Sequence, residues 1–151
     1  MNATADSFNL DRFVEAQDPV YAQVMRELGA GRKRTHWMWF VFPQIAGLGS
    51  SPISRFYAIS SLAEAEAYLG HPLLGARLLQ CVETLLAVEE TDPHEIFGSP
   101  DDMKFQSSMT LFCAAAGRNS VFGRALDRFY GGKPDQGTLA LLAAEQGNAR
   151  K

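Results

Sequence analysis

Prolines and glycines stand in this chain where helices would begin and end, and that punctuation limits its fold more than any other feature. Pro52, Pro93 and Pro100 each follow a Ser or Asp, namely Ser51, Asp92 and Ser99. A side-chain acceptor followed by a residue with no N–H to satisfy is the order of an N-cap and a first helical position. Gly29, Gly70, Gly117 and the pair Gly131-Gly132 close runs of apolar residues at helical spacing. Glycine there supplies the left-handed backbone that ends a helix.

Between these marks the apolar residues recur at three and four positions, as one face of a helix requires. Asn9 reads as the cap of a helix from Leu10, interrupted by Asp18-Pro19. Tyr21, Val24, Met25 and Leu28 form the next stripe, which Gly29 should stop. Ser61-Leu62-Ala63-Glu64 is a capping-box pattern. Leu74, Leu78, Cys81, Val82 and Leu85 mark a longer helix. Phe105, Met109, Phe112 and Ala116 mark another, with Ser99 before Pro100 as its cap and the acids Asp101 and Asp102 in its first turn. Ser120 should cap a helix carrying Val121, Ala125, Leu126 and Phe129, and Leu139 to Ala144 a last short one. Trp37 to Phe42 suits a strand or a helix. With few other strands to pair with, a short helix from Thr35, ended by Pro43, is favoured.

The expectation is an all-α protein, a single compact domain of seven or eight short helices over residues 8–145, with 1–7 and 146–151 as flexible termini. Leu78, Leu85, Phe105, Met109, Phe112 and Phe129 should be core. At 151 residues and 46% hydrophobic, the chain can bury a core without a staple. Cys81 and Cys113, both in apolar helical settings, read as free buried thiols. The polar start and the absence of an apolar run near membrane length suggest a soluble cytoplasmic protein. A formal net charge of -3 argues against a general nucleic-acid binder.

Several chemistries are excluded. Gly47-Leu48-Gly49 has Pro52 where a dinucleotide fingerprint needs its third glycine. There is no phosphate-binding Gly-Lys-Ser/Thr and no G-x-S-x-G elbow. His36, His71 and His94 are scattered, so no metal and no cofactor are expected. Whether the chain is an enzyme stays open.

The richest stretch chemically is Gly31 to Ser51, G-R-K-R-T-H-W-M-W-F-V-F-P-Q-I-A-G-L-G-S-S. Arg32, Lys33 and Arg34 could capture an anion, with Gly47, Gly49, Ser50 and Ser51 adding backbone N–H donors. His36 could serve as a base, and Trp37 or Trp39 as a stacking platform. The plainer readings are a basic corner after a helix C-terminus and tryptophans in the core. A second polar cluster, Asp101, Asp102, Lys104, Ser107, Ser108 and Thr110, offers a Lys–Ser pair or simply an Asp101–Lys104 ion pair. Ser108 and Thr110 are expected to bond back to helix carbonyls.

That stretch, with F-Y-A-I at Phe56 to Ile59, A-Y-L-G-H-P-L-L-G at Ala67 to Gly75 and D-D-M-K-F-Q-S-S-M-T-L-F at Asp101 to Phe112, resembles domain-of-unknown-function family 1810 over about residues 8 to 143. The resemblance implies the all-helical fold of a superfamily defined by a mycobacterial hypothetical protein. It implies no activity and no catalytic residues. Members are often labelled calpastatin, but calpastatin-type inhibitors are disordered and polar. This chain has core-forming helices and no Pro-Pro-x-Tyr-Arg type motif.

Two readings of function follow. In the first, the protein binds a small anionic ligand, a nucleotide or phosphorylated metabolite, through Arg32, Lys33, His36, Trp39, Gln44 and Ser50, with Lys104 and Ser107 from a facing helix. In the second, it is a non-catalytic module that meets a protein partner. A pocket joining the two motif segments favours the first, and a flat exposed apolar face with both segments buried favours the second. On the first reading, removing charge at Arg32 and Lys33 together should abolish anion binding and spare the fold.

Overall fold

The computed structural model describes residues 6–149 and arranges them as ten helices. These are α1 (Asp11–Gln17), α2 (Tyr21–Gly29), α3 (Met38–Val41), α4 (Pro52–Phe56), α5 (Leu62–Gly70), α6 (Leu74–Ala87), α7 (Pro93–Phe97), α8 (Asp101–Ala116), α9 (Val121–Tyr130) and α10 (Gln136–Ala149). The all-α expectation holds. The count exceeds seven or eight because α3, α4 and α7, of four or five residues each, stand as separate elements. Residues 1–5 and 150–151, parts of the expected flexible termini, lie outside the described residues.

The fold is organised around α8, which packs against α3, α5, α7, α9 and α10. Its middle is buried on every side, from Ser107 through Phe112. A helix buried all round cannot be amphipathic, and its small polar residues must satisfy themselves. Ser107 Oγ donates to Met103 O at 3.1 Å and Thr110 Oγ1 to Gln106 O at 2.8 Å. Ser108, expected to do the same, is fully buried and has no partner among the described residues. Ala116, placed on the buried stripe by its spacing, is exposed in the last turn of α8. All six residues predicted as core are buried. Phe105 is the hub, with its ring 4.9 Å from Phe42, 4.8 Å from Phe97 and 6.0 Å from Phe129.

Several helix ends differ from the sequence expectation, and each difference has a local cause. Ser51 and Asp92 do cap α4 and α7, accepting from Ser54 N–H at 3.2 Å and His94 N–H at 2.9 Å. Ser61 accepts from Glu64 N–H at 3.1 Å, but Glu64 does not return the bond and so leaves the capping box half made. Its carboxylate takes Ser60 N–H at 2.8 Å and Arg12 at 2.9 Å instead. Asn9 is no cap. Its backbone is left-handed, at φ +56°, and Asp6 accepts from Leu10 N–H in its place. Gly29 is still helical, and the left-handed position falls at Gly31, φ +71°. Ser99 and Ser120 make no cap bond, Ser120 Oγ donating instead to Gly117 O at 2.6 Å. Asp135 starts α10 earlier than expected by accepting from Thr138 N–H at 2.9 Å.

Among the described residues β structure is limited to one isolated parallel bridge between Ile45 and Ile59. Ala46 N–H reaches Ile59 O, and Ile59 N–H reaches Gln44 O, both at 2.8 Å. The bridge closes a loop that carries α4, none of whose residues is buried. No described helix is long and apolar enough to cross a membrane.

Candidate functional site

The basic loop owes its shape to a carboxylate that precedes it. Glu27, in the last turn of α2, is 3% exposed. It accepts from Arg34 N–H at 2.8 Å, Thr35 N–H at 3.0 Å, Thr35 Oγ1 at 2.7 Å, Gln23 Nε2 at 2.8 Å and Trp37 Nε1 at 2.9 Å. Burial pushes its carboxyl pKa up, but the N–H groups of Arg34 and Thr35 and the side chains of Thr35 and Gln23 outweigh burial and hold it at about 2. Two backbone donors of the basic run therefore already serve a carboxylate, and Trp37, 1% exposed, belongs to the core.

With the loop fixed, Lys33 turns toward α8. Its N–H donates to Ile96 O at 2.7 Å, and its ammonium sits 2.9 Å from Asp101 Oδ2 and 5.2 Å from the centre of the Trp37 ring. The side chain is only 7% exposed. On the other carboxylate oxygen lies Lys104 Nζ at 3.6 Å, which is also 5.0 Å from the centre of the Trp39 ring. The two motif segments thus meet at one acid, with a tight buried lysine and a loose, quarter-exposed one. Two ammonium groups against one carboxylate leave a positive charge in excess.

Trp39 also lines a small cleft with Gln44, Ile45, Gly49, Ser54, Tyr57 and Ala58. Its volume, about 20 Å³, is that of roughly one water. The indole N–H of Trp39, the amide of Gln44 and the hydroxyl of Tyr57 have no hydrogen-bond partner among the described residues. The contrast with Trp37, whose N–H is committed to Glu27, is sharp.

The other predicted site residues are not gathered there. Arg32, His36 and Ser50 have exposed side chains that make no polar contact among the described residues. Ser107 lies one turn beyond Lys104 but is buried with its hydroxyl bonded back to Met103. The helix start after Pro52 offers no open anion site either, because Ser51 already occupies Ser54 N–H. Asp101, Tyr57 and Glu27 are the residues the sequence reading left out of the site. Asp101 had a signal in its spacing from Lys104, while Tyr57 and Glu27 depend on contacts across the fold. Among the described residues no three His, Cys, Asp or Glu side chains gather as a metal site would require.

Larger hollows lie elsewhere. One is an apolar groove of about 290 Å³ between α8, the turn after α9, and α10, lined by Cys113, Ala114, Leu126, Pro134 and Leu139. The polar side chains at its edge are engaged, Thr110 with Gln106 and Asp135, and Arg118 with Asp127 at 2.9 Å.

The described residues thus form an all-α bundle centred on α8, whose tryptophan-rich loop meets that central helix through a Lys–Asp–Lys cluster. The chain belongs to the family described as Protein of unknown function (DUF1810), whose model matches residues 7–142. Its fold is similar to that of the conserved hypothetical protein Rv1873 from Mycobacterium tuberculosis, a solved structure at 57% sequence identity with a TM-score of 0.89. The match covers 91% of this chain and 99% of that one. No curated protein matches the chain.

Proposed function

We propose that the protein binds a small anionic ligand at the corner where Lys104, Trp39 and Gln44 meet. The observation that carries this reading is the charge imbalance at Asp101. Lys33 satisfies that carboxylate at 2.9 Å, so Lys104, at 3.6 Å, can turn to an anion without leaving Asp101 unpaired. Beside it the Trp39 indole N–H, the Gln44 amide and the Tyr57 hydroxyl make no hydrogen bond among the described residues and stay open to solvent, where a ligand can reach them. The buried position of Lys33 changes the test that the sequence suggested. Its loss would strip a partly buried acid of its close partner, so charge removal belongs at Lys104.

Inorganic phosphate titrated against the wild-type protein should raise the melting temperature in a saturable way, as native-state ligands do. Lys104→Gln should abolish that rise while melting close to the wild type without phosphate. Equal protection of both proteins, or of neither, would refute the reading.

A second reading rests on α4. Ile53 and Phe56 are 40% and 55% exposed on a helix that buries nothing. That face supports a non-catalytic module in which α4 meets a protein partner.

A further inference from the structure

We infer that the ligand of this corner is a nucleoside phosphate rather than a phosphorylated sugar or a bare anion, an inference that rests on the anionic-ligand reading above. The lining decides between them. A sugar phosphate brings several hydroxyls, each of which must find a partner when water is removed. The polar groups of Gln44, Ser54 and Tyr57 could meet some of them, but a sugar leaves unused the other part of the lining, the aromatic surfaces of Trp39 and Tyr57.

A nucleobase has the complementary chemistry. Its flat faces need no hydrogen bonds and gain by lying against an aromatic ring. Its edge carries the donors and acceptors that an amide can match. Gln44, half-buried and unpartnered, presents both. The cleft itself holds about one water, so the base lies over its mouth and one edge atom takes that place. Gly49 keeps the turn that frames the mouth close. A Cβ there would lie 2.6 Å from Ser54 Oγ.

The charge lies at the matching distance. Lys104 Nζ is 5.0 Å from the centre of the Trp39 ring, so a base beside that ring puts a 5′-phosphate within reach of the ammonium. One spare positive charge fits a monophosphate better than a longer polyphosphate chain. Asp101 keeps its bond to Lys33 throughout.

The test compares AMP, adenosine, ribose 5-phosphate and inorganic phosphate by calorimetry, with intrinsic fluorescence as a second readout. AMP should bind at least tenfold more tightly than ribose 5-phosphate or adenosine and should quench Trp39. Lys104→Gln should weaken AMP at least tenfold and leave adenosine unchanged. Gln44→Leu should weaken AMP by a larger factor than it weakens phosphate. If ribose 5-phosphate or phosphate binds as tightly as AMP, the nucleotide inference fails and the anionic-ligand reading stands. If neither AMP nor phosphate binds, both fail.

Discussion

At the scale of single residues, the loop that carries Lys33 depends on Glu27. Five donors converge on a carboxylate that no Lys or Arg pairs with among the described residues. Its pKa is about 2 in the folded protein against an ordinary 4.5. A depressed pKa means that the folded state binds the proton less readily than the unfolded chain does. The stabilisation, about 3 kcal/mol at full effect, is present above pH 4.5 and lost as pH falls toward 2. Unfolding free energy should therefore drop across that window, and the drop should be smaller by about that amount in Glu27→Gln. That variant should also be weaker at neutral pH, since an amide cannot accept from all the same donors. Equal acid sensitivity in both proteins would remove Glu27 from this role. None of this was legible in the sequence, where Glu27 is one acid on an amphipathic helix ten residues before the tryptophan it holds.

At the scale of elements, the sequence showed where helices lie better than how they end. Stripes such as Leu74, Leu78, Cys81, Val82 and Leu85 are local, and burial follows from them directly. Caps are competitive. Glu64 had the right spacing for a capping box but was drawn to Arg12, which also donates to the carbonyls of Phe56 and Ala58. Asn9, left-handed in its backbone, lost its place to Asp6, which accepts from Leu10 N–H. Close helix corners were equally hidden. A Cβ on Gly75, in the first turn of α6, would lie 2.1 Å from Leu69 O at the end of α5. Because that neighbour is backbone, Gly75→Ala must open the α5–α6 corner and should lower stability by about 1–3 kcal/mol. Gly70→Ala, with nothing within 4 Å of its Cβ, is the control and should change little. Urea unfolding of the two variants distinguishes them, and equal effects would mean that the corner is loose.

For the molecule as a whole, the fold was readable because one core collects every apolar stripe. The site was only half readable because a cation's role depends on which acid it faces. Lys33 and Lys104 look alike in the sequence. The fold makes one a buried partner of Asp101 and the other its loose companion. Trp37 and Trp39 divide in the same way, one indole N–H bound to Glu27 and the other without a partner among the described residues. That division provides the most direct test of ligand binding at this corner. In a proton–nitrogen correlation spectrum the two indole N–H groups give separate signals, and AMP can be titrated while both are followed. The Trp39 signal and the Gln44 side-chain amide should shift saturably, the Trp37 signal should stay in place, and Lys104→Gln should need far more AMP for the same shift. A spectrum in which AMP moves neither Trp39 nor Gln44, or moves them equally in Lys104→Gln, would contradict the account.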